Sequence, residues 1–185
     1  MKRLAVSFAL LMAVTLLGGC ATNRYPEDPK DVDLIEVSYK ATAALLSQTK
    51  MPLPPNSMIV VSTFVNVDEL DQTAAFGRIV SSQIASAFNN SGYRIRAMEL
   101  PTELFVKEDR GMLKLSDETK SALKGTDAAA LVVGVFAPGK RSAYVSLRML
   151  DVESETVIST TDFVVPMGPD AKVLLQPRIA GSRKP

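Results

Sequence analysis

Two uninterrupted apolar runs constrain the fold of this chain more than any other feature. Ser57 to Val65 reads Ser-Met-Ile-Val-Val-Ser-Thr-Phe-Val, and Ala129 to Phe136 reads Ala-Ala-Leu-Val-Val-Gly-Val-Phe. β-Branched residues favour strands, and continuous apolarity over a strand length indicates burial on both faces. Each run therefore predicts a central strand of a sheet that is covered on both sides.

Helical periodicity surrounds these runs. It extends over 34–49 and 74–89, and a shorter helix is predicted after Ser116 to about Lys124. In the second helix the predicted buried stripe is Phe76, Ile79, Val80, Ile84, Ala87 and Phe88, and Gly92 is the predicted stop. Asp31 or Asp33 is a candidate cap for the first helix, and Asp71 or Thr73 for the second.

The second half of the chain shows one-sided strands. Tyr144 to Leu150 alternates, with Val145, Leu147 and Met149 on one side, and 156–165 is the expected hairpin partner. Tyr93 to Leu100 is a further predicted strand, and a hairpin is predicted around 107–111. The sequence therefore predicts an α/β fold, a mixed sheet with helices packed against it that ends in an antiparallel meander.

The N-terminus carries an export signal. Lys2 and Arg3 precede the apolar run 4–17, which is too short to cross a bilayer as a helix, since that takes about 20 residues. Leu17-Gly18-Gly19-Cys20 resembles the lipobox of bacterial lipoproteins. That resemblance implies cleavage between Gly19 and Cys20, and fatty acylation such as palmitate on Cys20. Ala21, in place of an Asp, implies the outer membrane, facing the periplasm.

These signals divide the chain into four segments. We expect a removed signal peptide at 1–19, a lipidated tether and first helix at 20–56, the α/β domain at 57–168, and a basic C-terminal tail at 169–185. The tail either stays disordered or binds an acidic partner.

Composition excludes several function classes. After loss of Lys2 and Arg3 the formal charge is 19 − 20 = −1, which leaves no strong field to recruit nucleic acid. The chain has no His, so imidazole-based nucleophilic or metal chemistry is excluded, and its single Cys cannot form an intramolecular disulfide. No cofactor, metal site or catalytic residue is predicted.

The acidic loop 66–73 allows two interpretations. Its carboxylates either solvate a loop and favour the start of the following helix, or they form a site for a cation or for acid–base chemistry. An enzyme would use Asp68, Glu69, Asp71 or Lys107. The EF-hand spacing of calcium ligands is missing from the loop.

Several stretches together resemble the FlgO domain. They are Ile59 to Leu70, Gln72-Thr73 with 76–80 and 83–85, Gly92-Tyr93, 128–135 and Leu150-Asp151-Val152, and the resemblance covers about 58–161. The last turn, Glu153-Ser154-Glu155-Thr156, departs from the family, whose members often carry Gly there.

The resemblance implies a non-enzymatic outer-membrane lipoprotein that supports flagellar assembly, attachment and motility. It implies FlgP- and FlgT-like partners around the basal body, a possible homo-oligomeric ring, and a fold resembling the TolB amino-terminal and CsgG-like domains. The alternative is a periplasm-facing lipoprotein that binds or activates a peptidoglycan synthesis or secretion machine.

Cys20→Ala tests the anchor. The substitution removes the acylated thiol, so the protein should move from the membrane pellet to the soluble periplasmic fraction on cell fractionation. Retention of the variant in the membrane would contradict the lipobox assignment.

Overall fold

The computed structural model describes residues 29–68, 74–98, 105–107, 113–115 and 117–176. Within these ranges the helices are α1 Leu34–Ser47, α2 Ala75–Asn90, α3 Asp117–Lys124 and α4 Pro169–Leu175. The strands are β1 Met58–Ser62, β2 Val65–Asn66, β3 Arg94–Met98, β4 Phe105–Lys107, β5 Leu113–Leu115, β6 Ala128–Pro138, β7 Ser142–Asp151 and β8 Val157–Pro166.

Six of these strands form one mixed sheet in the order β3-β1-β6-β7-β8, with β2 beside β6. β1 pairs in parallel with β3 and β6, whereas β6-β7-β8 is antiparallel. The predicted mixed sheet, its helices and its closing meander are therefore confirmed. β4 and β5 pair with each other as a separate antiparallel hairpin, at the position that the sequence predicts.

The two apolar runs lie at the centre of the sheet. Side chains of β1 and β6 are buried on both faces: Ile59, Val60, Val61, Leu131, Val132 and Val133. The first run is not one strand, however, because β1 ends at Ser62, whose hydroxyl donates to the carbonyl of Val132 at 3.2 Å. The chain then turns at Phe64 before β2 rejoins β6.

β1, β6 and β8 point the same way, and we call the end where they finish the upper end of the domain. α1 runs from the upper to the lower end, since Lys50 N just after it donates to Ile158 O at the start of β8, 2.9 Å away. α2 runs the same way, because β3 follows it directly and Arg94 pairs with Met58 at the start of β1.

α1, α2 and α4 cover one face of the sheet. The core between them and the sheet includes Leu45, Phe64, Phe76, Val80, Ile84, Phe88, Val132, Phe136, Val145, Leu147, Met149 and Ala171. Phe76 and Phe136 meet edge-on with ring centroids 5.4 Å apart. One residue of the predicted α2 stripe is an exception, since Ile79 is exposed.

The opposite face is covered by α3 over part of its area. Leu123 of α3 packs on Val60, Leu131, Val133 and Leu150 in a second, smaller core. Among the described residues no other helix packs on this face, so the outward side chains of β7 and β8 beyond α3 are left uncovered by them.

Both candidate capping aspartates are used, at two different helices. Asp33 caps α1, accepting from Ile35 N at 2.9 Å and Glu36 N at 3.1 Å. Asp31 caps α4, accepting from Asp170 N at 3.0 Å and Ala171 N at 3.1 Å. The stretch that begins at 169 therefore starts as a packed helix rather than as a tail, and the packed body extends beyond 168.

The two ends of α2 are described to different extents. The predicted caps Asp71 and Thr73 lie outside the described residues, and the N-cap position is Ala74, whose own side chain makes no capping bond. The predicted stop is confirmed: Gly92 has a φ of +90°, a left-handed conformation that favours Gly.

Gly134→Ala tests the packing at the centre of the sheet. A Cβ at Gly134 would lie 2.6 Å from Cδ1 of the fully buried Phe64 ring, so we expect a loss of about 1–3 kcal/mol in the free energy of unfolding, as for other overpacked cores. Thermal denaturation should show a lower Tm for Gly134→Ala. Gly125→Ala is the control, since its nearest neighbour would lie 3.9 Å away. An unchanged Tm for Gly134→Ala would contradict the close packing.

Candidate interaction surface

The residues singled out in the sequence fall only partly within the described structure. Gly19 and Cys20 lie outside the described residues, as do Glu69 and Asp71 of the acidic loop. Lys107 lies in the β4 strand of the separate hairpin. Of the four proposed acid–base residues, the described structure therefore contains only Asp68 and Lys107, and their grouping stays a prediction.

The described start of the acidic loop is a local turn. Asn66 Oδ1 accepts a hydrogen bond from Asp68 N at 3.1 Å, and Asp68 is exposed. A short Asn side chain bonding the backbone two residues on is a common way to begin a loop. Within the described ranges, no group of three or more acidic or sulfur side chains is placed to hold a metal ion.

The uncovered part of the sheet presents an ordered set of cross-strand rows, which we call the open face. The pairing register defines them as Ala137–Tyr144–Val164, Val135–Ser146–Asp162 and Val133–Arg148–Thr160. The rows follow from the alternation that the sequence shows in β7, with Val145, Leu147 and Met149 buried under the helices. Tyr144, Ser146 and Arg148 therefore project from the other side.

Large apolar side chains occupy the upper row. Tyr144 has 58% of its surface exposed, and Val164 directly opposite it is also exposed. Tyr is suited to protein interfaces because it offers a large apolar area and a polar tip at low entropic cost. The rows below add a cation, Arg148, and an anion, Asp162.

A small cavity of about 70 Å³ lies beneath these rows. It is lined by Val133, Gly134, Val135, Ser146, Arg148, Leu150 and Val157. Its apolar walls and size suit an aliphatic side chain from a partner better than a metabolite, for which pockets usually reach about 300–1,000 Å³. The open face is therefore a candidate surface for protein contacts.

A larger cavity of about 400 Å³ lies at the lower end. It is lined by Lys120, Leu123, Asp127, Ala128, Val152, Glu153 and Glu155. Lys120 Nζ and a Glu155 carboxylate oxygen are 2.8 Å apart, so opposite charges already pair across it. The sequence did not predict this cavity, because 117–124 and 153–155 are distant in the chain and meet only through the β7–β8 turn.

The β7–β8 turn is held together by Asp151. Asp151 Oδ1 accepts from Ser154 N at 2.7 Å and from Ser154 Oγ at 2.6 Å. These two bonds hold the pKa of Asp151 below its ordinary value, with the side-chain bond the larger cause. Glu155 has a φ of +56°, a left-handed conformation that favours Gly.

Comparisons with known proteins agree with the sequence resemblance. The family model for FlgO protein matches residues 39–170, from within α1 to the start of α4. A comparison with curated protein sequences found no match. Among the described residues no helix is long and apolar enough to cross a membrane.

Solved structures show a similar fold. The LpoB C-terminal domain from Salmonella enterica superposes with a TM-score of 0.52 at 10% identity, covering 72% of this chain and 98% of that one. The LpoB C-terminal domain from Escherichia coli gives a TM-score of 0.50 with the same identity and coverage. At this identity the likeness concerns the fold alone, and the expected likeness to TolB and CsgG domains stays a prediction.

The Asp151 turn generates a pH prediction. Because the folded pKa of Asp151 is lowered, its stabilising contribution is present above the unfolded pKa of about 3.9 and is lost as pH falls through the folded value. We expect wild type to exceed Asp151→Asn in the free energy of unfolding at pH 5–7, and the gap to shrink below about pH 4. Urea titrations at several pH values measure this.

Ser154→Ala is the matched control for this titration. It keeps the carboxylate but removes the side-chain bond, so its gap to wild type should also shrink on acidification. A gap for Asp151→Asn that is constant from pH 7 to pH 3 would contradict the assigned cause.

Proposed function

This chain belongs to the FlgO protein family, and from that premise we propose that it is a non-enzymatic outer-membrane lipoprotein that supports flagellar assembly, stability and motility near the basal body. The observation that carries the proposal is the extent of the family match, 39–170. It takes in the whole six-stranded sheet, α2, α3 and most of α1, and it ends at the start of α4. The family assignment therefore concerns most of the packed body rather than one motif.

Attachment through Cys20 places this body at the membrane. Two or more acyl chains anchor a protein stably, since each buried CH₂ contributes about 0.8 kcal/mol. Chain length supports a position close to the bilayer, because only residues 20–28 separate the proposed lipid from Pro29, the first described residue. At about 3.3–3.6 Å per residue these residues reach roughly 30 Å when fully extended.

The open face is the surface that we assign to partner proteins. Its upper row offers Tyr144 and Val164, and its lower rows add one charge of each sign to define the orientation of a partner. By family resemblance the partners are FlgP- and FlgT-like ring proteins of the basal body, or further copies of this chain. A structural role of this kind requires no catalytic residue.

Chemistry available to the chain supports a binding role. Without His, an enzyme here would depend on carboxylates and lysines. The cavity at the lower end holds Lys120 and Glu155 already paired at 2.8 Å. These two side chains are therefore engaged with each other rather than placed singly as a general acid or base.

The alternative is a lipoprotein that binds or activates a peptidoglycan synthesis or secretion machine. The short reach of residues 20–28 argues against a role that demands extension far across the periplasm. Synthase activity measured with and without the purified protein discriminates between the two functions, since a flagellar structural protein should leave that activity unchanged.

Tyr144→Asp and Val164→Asp test the assigned surface. Each places a charge in the exposed upper row without disturbing the buried core, so Tm should change little while co-isolation with basal bodies and swimming in soft agar decrease. Met51→Asp is the matched control, because it places the same charge at an exposed apolar side chain of the lower end, outside the open face and its cavity. Full co-isolation and swimming in both upper-row variants would contradict the assignment.

A further inference from the structure

Exposed apolar side chains gather at the upper end of the domain. Nine large hydrophobic side chains of the described residues are exposed, and two of them, Met51 and Val157, lie at the lower end. Five lie around the starts of the helices, and two in the upper row of the open face. The helix group consists of Val32, Ile35, Val67, Ile79 and Val173.

Ile35 and Ile79 lie close to one contact between the two longest described helices. Ser38 Oγ donates to Gln83 Oε1 at 2.8 Å, and α1 and α2 run in the same direction. Ile35 lies one turn before Ser38, and Ile79 lies one turn before Gln83. Both residues therefore lie about one turn above this contact, towards the upper end, and they are 55% and 40% exposed.

The position of Ile79 is unexpected for its sequence pattern. It belongs to the apolar stripe of α2, whose other members Phe76, Val80 and Ile84 are fully buried. Its exposure adds Ile79 to Val32 and Ile35 in a group of exposed apolar side chains, and such groups mark interaction sites where single exposed residues do not. Val32, next to the capping Asp31, extends the apolar area towards α4.

The chain enters the domain at this same end. Asp31 is bonded to the first turn of α4, so Lys30 and Pro29 lie at the upper end as well. From there nine residues, 20–28, lead back to Cys20, which limits the distance between this end and the proposed lipid to roughly 30 Å. Lys30 and Arg78 are exposed at this end, and so are the carboxylates of Asp31, Asp33, Glu36, Asp68 and Asp170, so charge does not select the occupant.

We propose that the upper end of the domain, through Val32, Ile35 and Ile79, docks on the phospholipid surface that holds the Cys20 anchor. The inference rests on the proposed lipidation, because the anchor supplies the high local concentration that lets a small apolar contact be occupied. Lipid is favoured over a protein partner because the tether of residues 20–28 ends here and keeps this end of the domain within roughly 30 Å of the proposed lipid. Docking fixes the orientation of the domain, with its lower end pointing away from the bilayer.

A depth measurement on the lipidated full-length protein tests this orientation. With Cys20 acylated the chain has no other cysteine, so one introduced cysteine carries one label. The test variants are Ile35→Cys and Ile79→Cys, and the control variants are Met51→Cys and Val157→Cys at the lower end. The controls are matched in exposure, because the native side chains of Met51 and Val157 are 42% and 43% exposed and that of Ile79 is 40% exposed. Each carries a polarity-sensitive fluorophore on phosphatidylethanolamine–phosphatidylglycerol vesicles that contain spin-labelled lipid quenchers.

Docking predicts several-fold stronger quenching at positions 35 and 79 than at 51 and 157, because interfacial apolar groups sit about 5–10 Å into the headgroup boundary. Equal quenching at all four positions on vesicle-bound protein would overturn the docking while leaving the anchor intact, and would assign the upper end to a protein partner. Flotation of the same samples separates the two proposals, since protein that fails to float with the vesicles contradicts the anchor and the docking with it.

Discussion

Burial of β6 on both faces is the constraint on which the rest of this structure depends. The middle of this eleven-residue strand is apolar, so both of its faces have to be shielded from water. Different elements shield the two faces. On one side three helices and the ring of Phe64 complete a large core. On the other side α3 covers only the lower half, so the meander keeps an exposed face where the domain can make contacts.

Close packing at one glycine links the two halves of the sheet. Phe64 lies in the short break between β1 and β2 and fills the space that a side chain at position 134 would occupy. This packing adds to the backbone pairing of β1 and β2 with β6, and to the bond from Ser62 Oγ to Val132 O, in holding the three strands in register. The arrangement explains why the first apolar run contains a break although its sequence reads as one strand.

Most of the fold follows from patterns in the sequence, because periodicity reports directly on which side of an element is buried. The alternation of β7 correctly separates Leu147 from Arg148, and the two apolar runs correctly identify the central strands. Long-range contacts have no such local signal. The partner of Asp31 is 139 residues away, and the lower cavity unites three distant segments. Ile79 fits the apolar stripe of α2, so the sequence predicts that it is buried. Its exposure depends on how the helices pack, and no local pattern reports that.

The bonds between Asp31 and α4 have a mechanical consequence. With the anchor that we propose at Cys20, tension on the domain would enter through the first residues of its body. Because Asp31 holds the start of α4, the last helix of the described residues, tension entering at Pro29 is shared with α4 before it reaches α1. The load then acts across a pair of hydrogen bonds and a helix packed on the core. It does not peel α1 from the sheet turn by turn.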